Sequence, residues 1–215
     1  MSEKLISEEL KKIIPFHYEL DRDKLEITRV DGVPVTIKDF EELATILPSS
    51  YKLDLADNKI VIMPVGARTG QREARLIYEV TGWCMNNPRL VGLYGSSQTC
   101  YNLPLPNPTV RGPDASVVLA TRWNALSVND QNEAFPSVAP NFVAEIRSDN
   151  DSEDYCHRKM IDFMNADVEE GILIDPLNQT VTVYRVQQDN IVMNVRRNPR
   201  TFTSRILNGF VLDLQ

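Results

Sequence analysis

Three residues in the second half of the chain have types and settings suited to metal-assisted phosphodiester hydrolysis. Asp114 follows Arg111-Gly112-Pro113 and precedes the apolar run Ala115–Ala120, so a carboxylate stands where a loop enters a strand. Glu145 is a lone carboxylate inside Phe142-Val143-Ala144-Glu145-Ile146-Arg147. Strand alternation puts Phe142, Ala144 and Ile146 on one face and Val143, Glu145 and Arg147 on the other. A glutamate in a central strand is costly unless it is paired or bound to a cation. Lys159 lies at the edge of an apolar helical stripe formed by Cys156, Met160, Phe163 and Met164, and partial burial there also demands a partner. Two carboxylates of this kind suit a hard cation such as Mg²⁺, which acidifies a bound water, while a lysine orients that water or stabilises charge on the phosphate. Taken singly, each residue has an ordinary alternative. Asp114 could be a turn residue, Glu145 could form a buried ion pair with Arg147 or Lys159, and Lys159 could extend its head to solvent.

The surrounding pattern supplies elements to hold these groups. Thr36 to Leu47 has helical spacing with Thr36 or Asp39 as cap, and Tyr51–Leu55 and Lys59–Met63 alternate around Asp57-Asn58 as a hairpin. A longer helix is predicted over about 69–87, with Ala74, Ile77, Tyr78, Val80, Thr81 and Cys84 as its inward stripe. Short apolar or β-branched runs at Leu90–Tyr94, Thr99–Leu103, Ala115–Ala120 and Phe142–Arg147 read as strands broken by Gly and Pro. A helix over about 152–166 follows, capped through Asp151 or Ser152. Strands are then expected at Gly171–Ile174, Thr180–Val186, Ile191–Val195 and near Phe210–Leu214. The pattern is a mixed β-sheet flanked by helices, of the α/β or α+β class. Residues 1–35 read as an N-terminal accessory segment, with a short helix from Ser7 to Ile14 and a hairpin of Phe16–Leu20 and Lys24–Val30 around Asp21-Arg22-Asp23. The main domain is assigned to 36–215.

Composition narrows the field further. With 42% hydrophobic and 25% charged residues, the chain is neither disordered nor collagen-like. The formal charge, 23 − 30 = −7, argues against a protein that grips nucleic acid over its whole surface, but permits a local basic face. The densest cationic stretch, Arg196, Arg197, Arg200 and Arg205, could be such a face or a solvated loop; Arg72 and Arg75 offer a second place. Cys84, Cys100 and Cys156 fit buried thiols in a reducing cytoplasm. His17 and His157 are too few for most zinc sites. No GxSxG elbow, Walker A loop or GxGxxG fingerprint is present. The charged start MSEKLISEEL is unlike a signal peptide, and no apolar run approaches membrane-spanning length, so a cytoplasmic protein without membrane contact is expected. Trp83 and Trp123 read as packing residues.

Pro113-Asp114, Ala144-Glu145-Ile146-Arg147-Ser148 and Lys159-Met160 together resemble the Uma-two family of the PD-(D/E)XK nuclease superfamily. Gly95-Ser96-Ser97 through Leu103-Pro104, Pro140-Asn141-Phe142-Val143, Gly171 to Pro176, Val183-Tyr184-Arg185 and Asn208 to Leu212 follow the family's order, so the resemblance spans about residues 38–214. It implies a restriction-endonuclease-like fold and DNA hydrolysis assisted by Mg²⁺, with Mn²⁺ as a substitute. Asp114 and Glu145 become metal ligands, with the Ile146 carbonyl as a third. The superfamily's usual lysine position holds Arg147 here, and Lys159 on the next helix matches the family's relocated lysine. An acidic residue on the first core helix is also implied; Glu73 is preferred over Glu79 because it lies nearer the helix start. A homodimer is expected from similar nuclease folds. Asn141 stands where the family often has Asp, and Ser148-Asp149-Asn150-Asp151 replaces its Ser-Pro-Ser-Asp, which bears on loop shape. The alternative is a catalytically inactive, dimeric nuclease-fold protein with a regulatory or interaction role.

Overall fold

In the computed structural model, which describes residues 10, 12–21, 25–48, 51–64, 67–149 and 151–214, two six-stranded sheets carry the chain. The first begins with the antiparallel pair β1 (Tyr18–Asp21) and β2 (Glu26–Arg29). Leu10, Lys12 and Ile13 are helical and Ile14 is a bend; Ser7 to Glu9 and Lys11 of the expected helix, and Arg22 to Lys24 of the hairpin turn, lie outside the described residues. Helix α1 (Ile37–Ile46) starts at a capping box. The Thr36 hydroxyl accepts the Asp39 amide at 3.2 Å, and the Asp39 carboxylate accepts the Thr36 amide at 2.8 Å. Next come β3 (Tyr51–Ala56) and β4 (Lys59–Pro64), whose last pair, Ala56 with Lys59, encloses Asp57 and Asn58 at φ of 51° and 62°. Two successive left-handed residues are what a two-residue hairpin loop requires, and Asp-Asn tolerates them.

Helix α2 (Ala67–Asn86) leads into the second sheet, formed by β5 (Val91–Ser96), β8 (Ala115–Leu119), β9 (Phe142–Ile146), β10 (Glu170–Asp175), β11 (Thr180–Gln187) and β12 (Asn190–Arg197). Their spatial order is β12-β11-β10-β9-β8-β5. Between β5 and β8 the chain visits the first sheet with two short strands, β6 (Tyr101–Asn102) and β7 (Val110–Arg111), and β7 pairs with β3 at Leu55 and Val110. This pairing brings β3 to the edge of the region where β8 starts. Two one-turn helices, α3 (Ala120–Trp123) and α4 (Val128–Gln131), separate β8 from β9. Helix α5 (Glu153–Asn165), capped by the Ser152 hydroxyl, joins β9 to its parallel neighbour β10. A final pair, β13 (Thr201–Thr203) and β14 (Val211–Asp213), closes the chain.

The second sheet is covered on both faces. Phe142, Ala144 and Ile146 of β9 pack with Leu76, Val80, Trp83 and Cys84 of α2 and with Phe202, Phe210 and Leu212. Val143 faces the other way, toward Met160, Phe163 and Met164 of α5. Gly171 on β10 permits α5 to approach, since a Cβ there meets the Met160 methyl at 2.5 Å. The inward face of α2 differs from the sequence expectation: Tyr78 is 79% exposed and Ala74 is exposed, while Leu76 and Trp83 are buried. The buried set 76, 80, 83 and 84 forms one stripe, and positions two residues away point about 200° round the helix. The three cysteines are unpaired, with Cys84 and Cys156 buried. Among the described residues no helix is long and apolar enough to cross a membrane.

Candidate active site

The antiparallel register of β8 and β9 aligns Ala115 with Ala144, so the next step along each strand sets Asp114 opposite Glu145. Asp114 Oδ2 accepts the Ile146 amide at 2.8 Å, which fixes that carboxylate against β9 and leaves Oδ1 directed elsewhere. Glu145 lies on the α5 face of β9, and Lys159 reaches it from the helix: Nζ donates to Glu145 Oε1 at 2.7 Å and to the Gly112 carbonyl at 2.9 Å. Lys159 does not extend to solvent; the residue is 1% exposed. Glu145 Oε2 is buried and has no hydrogen-bond partner among the described residues, an expensive state for a carboxylate oxygen.

The first sheet contributes two further groups from alternate positions of β3. Asp54 Oδ2 lies 3.4 Å from Lys159 Nζ, 3.2 Å from an Arg111 guanidinium nitrogen and 2.8 Å from the Tyr155 hydroxyl. Its Oδ1 accepts the Gly112 amide at 3.1 Å. Gly112 is held closely here, because a Cβ meets Cys100 Sγ at 2.8 Å and the Ser97 carbonyl at 3.3 Å. Lys52 Nζ donates to Glu73 Oε2 at 3.0 Å and to Asp114 Oδ1, and Ser97 donates to Glu73 Oε1. The four residues singled out in the sequence, Asp114, Glu145, Lys159 and Glu73, are therefore brought into one buried cluster.

Lys52, Asp54, Arg111, Tyr155 and Ser97 are members that sequence reasoning missed. The available signal was the alternation in β3, where Lys52 and Asp54 share one face and Leu53 and Leu55 the other, but the same pattern describes any half-exposed strand.

Glu79 points away, accepting the Asp213 amide at 2.8 Å. Arg147 also stays out of the cluster. It donates to Asp175 at 2.8 Å and to the Asp151 carbonyl at 3.0 Å, so it ties the loop after β9 to the end of β10. Asn141 works at the opposite end of β9, accepting the Leu119 amide at 2.8 Å and donating to Glu169.

Burial and charge divide the acids into two kinds. Burial pushes the Glu145 carboxyl up to about 8, against the pull of Lys159 and with the Asp114 charge adding to the rise. Burial likewise raises Asp114, against Lys52 and Lys159. Asp54 moves the other way: burial opposes its charge, but Lys159, Arg111, the Gly112 amide and the Tyr155 hydroxyl outweigh it. Lys159 is held well above its ordinary range despite burial, with Asp54 the largest counter-charge and Glu145 next. Asp54 thus secures the ammonium, and burial leaves Glu145 as the acid that holds its proton more tightly than an ordinary carboxyl.

The donor set fits a small hard cation. Asp54, Glu73, Asp114 and Glu145 face Lys52, Lys159 and Arg111, and Arg111 is shared with Asp162 at 3.0 Å, so the cluster is short of positive charge once Glu145 gives up its proton. The unpartnered Glu145 Oε2 and the Asp114 carboxylate are oxygen ligands of the type Mg²⁺ takes. Among the described residues, no three His, Cys, Asp or Glu side chains converge as a metal cage; Lys52 contacts Asp114 and Lys159 contacts Glu145.

A cavity of about 610 Å³ has Ile146 in its wall on the α2 face of β9, and Asp114, Glu145, Lys159 and Glu73 are not among its lining residues. Arg72 and Arg75 of α2 and Arg200 also line it, so parts of both sequence-identified basic stretches meet in one cleft. Arg75 is engaged with Asp213 at 2.7 Å. Arg196 and Arg197 are exposed on β12.

Comparison with curated proteins gives no match. Among solved structures, the chain is similar to a protein from Anabaena variabilis described as a "putative nuclease belonging to DUF820", with a TM-score of 0.62 and 22% identity over 80% of this chain and 89% of that one. At that identity the likeness speaks for the fold, a mixed α+β nuclease-type architecture. The model of the Uma2 family, described as "putative restriction endonuclease", matches residues 37–215, and the chain belongs to that family.

Proposed function

We propose that the protein is a Mg²⁺-dependent endonuclease that hydrolyses DNA phosphodiester bonds. The observation that carries this reading is that Asp114 stands opposite Glu145, whose Oε1 is held by Lys159 and whose buried Oε2 has no hydrogen-bond partner among the described residues. Asp114 and Glu145, with the Ile146 carbonyl, are the groups that would hold Mg²⁺ or Mn²⁺. Such an ion, when bound, supplies a Lewis acid and an acidified water. Lys159, anchored by Asp54 and the Gly112 carbonyl, would orient the attacking water or stabilise the charge developing on phosphate. Glu73 supplies a further acidic group from the first core helix. The cleft bearing Arg72 and Arg200 supports a DNA path that approaches the site along one face. Family membership supports the nuclease reading, and an acidic chain with so local a basic face suits salt-sensitive DNA binding.

One observation favours a second reading. Lys52 bridges Glu73 and Asp114, so the cluster could be a structural ion-pair network in an inactive nuclease fold with an interaction role. Nicking of supercoiled plasmid in Mg²⁺ or Mn²⁺ separates the two. The enzyme reading expects cleavage by the wild type and its loss in Asp114→Ala and Glu145→Ala. Nicking that persists at wild-type level in both variants rejects it.

A further inference from the structure

Asp114 has one oxygen to offer a cation. Its Oδ2 is engaged by the Ile146 amide, and Oδ1 is in contact with the Lys52 ammonium, which also lies 3.0 Å from Glu73 Oε2. We propose that Lys52 is an internal counter-cation that occupies the place a divalent ion would take at Asp114 Oδ1, on the Glu73 side of the Asp114–Glu145 site, and that cation binding requires its displacement. This rests on the nuclease-site reading and goes beyond it by naming the residue that controls loading.

An ammonium and a divalent ion compete for such a place directly. Both are held by carboxylate oxygens, and like charges repel too strongly to share Asp114 Oδ1. Lys52 is suited to leaving. It sits on β3 of the first sheet, apart from the strands that hold Asp114 and Glu145, and its flexible four-carbon stem carries a point charge rather than a rigid fork. Its side chain is 11% exposed, compared with 1% for Lys159. Lys159 is enclosed by Asp54, Glu145 and the Gly112 carbonyl, so the two lysines have different roles. The cost of an unneutralised Glu73–Asp114 pair is thereby avoided in the ion-free protein.

The test is Mn²⁺ titration by calorimetry on the wild type, Lys52→Met and Lys52→Arg, with Asp114→Asn added to each. A ligand whose site is mostly occupied binds with apparent affinity reduced by the vacant fraction, so Lys52→Met is expected to bind Mn²⁺ at least about tenfold more tightly. Lys52→Arg, which keeps the charge, should bind no more tightly than the wild type, and Asp114→Asn should remove the gain. Thermal unfolding adds a measurement that does not depend on activity. Lys52→Met should melt lower than the wild type in EDTA and recover in Mn²⁺. If Lys52→Met and Lys52→Gln fail to fold in EDTA, folding in Mn²⁺ supports the proposal and failure in both conditions overturns it. Asp114-dependent binding by the wild type with equal or weaker binding by Lys52→Met overturns the role of Lys52 and leaves the nuclease site standing. Absence of Mn²⁺ binding in every protein overturns both.

Discussion

Asp54 Oδ2 lies 3.4 Å from the Lys159 ammonium, linking β3 of the first sheet to the helix that covers the second. Both side chains are 1% exposed, and Asp54 also neutralises Arg111. The candidate lysine is thus positioned by a carboxylate from a different sheet.

Asp54→Ala is expected to destabilise the protein by about 3–5 kcal/mol, because it takes from two buried cations their largest counter-charge, which Glu145 and Asp162 replace only in part. Urea unfolding measures this directly. Asp54→Asn keeps the size and some hydrogen bonds, and is expected to cost less in stability while lowering nicking through a misplaced Lys159. A stability loss below about 1 kcal/mol for Asp54→Ala argues that Lys159 and Arg111 have other means of neutralisation.

The pH dependence of the ion-free protein should report Glu145. Its carboxyl is raised from an ordinary 4.5 to about 8, so between these values the folded state binds more protons than the unfolded state. The contribution to stability is then fully present below about 4.5 and declines as pH rises through about 8. In EDTA, Glu145→Gln should remove this downward slope, seen as the difference between wild-type and variant unfolding curves across that range. The same proton opposes cation binding, so Mn²⁺ affinity should rise with pH and level off above about 8. A variant curve parallel to the wild type locates the buried proton elsewhere.

The sequence made much of this arrangement legible, and the reasons for the omissions are physical. Asp114, Glu145 and Lys159 stand out because each is a charged residue in an apolar or turn setting within one stretch of chain, and the strand and helix periods assign their faces. Lys52 and Asp54 do not stand out. Their strand alternates as any half-exposed strand does, and its approach to the site depends on the single Leu55–Val110 pair with a two-residue strand. Strands that short leave no periodic trace. The helix α2 was legible as an element, and Val80 and Cys84 of its expected stripe are buried with Ile77 packed against the core. Ala74 and Tyr78 fall outside it, and packing against Phe202, Phe210 and Leu212 adds Leu76 and Trp83. The Tyr155 hydroxyl enters the cluster through Asp54, so it could not be recognised before Asp54 was placed.

Lys159→Ala is expected to reduce nicking by at least about 100-fold, the range found when a general acid–base or charge-stabilising group is removed. Placing a lysine at position 147, two residues after Glu145, should not rescue it. Residue 147 is committed to Asp175 and the Asp151 carbonyl, so a lysine there has an acid to pair with away from the cluster. The double variant Lys159→Ala with Arg147→Lys should remain as inactive as Lys159→Ala alone in the plasmid assay. Recovery to within about tenfold of the wild type means that position 147 can reach the reacting phosphate.

DNA affinity should depend on the cleft arginines unequally. Arg72 and Arg200 line the cavity beside Ile146, whereas Arg75 on the same wall is paired with Asp213 and Arg196 and Arg197 lie on the exposed edge strand β12. Arg72→Ala and Arg200→Ala are each expected to weaken binding to a short duplex and to reduce the slope of log affinity against log salt by about 1, as removal of one phosphate-neutralising cation does. Measured in Ca²⁺ or EDTA to prevent cleavage, fluorescence anisotropy gives both quantities. Arg196→Ala and Arg197→Ala should change the slope less, because a path along β12 leads away from Asp114 and Glu145 across β11 and β10. The reverse ranking places the DNA on the edge strand and separates binding from the carboxylate cluster, which an endonuclease cannot tolerate.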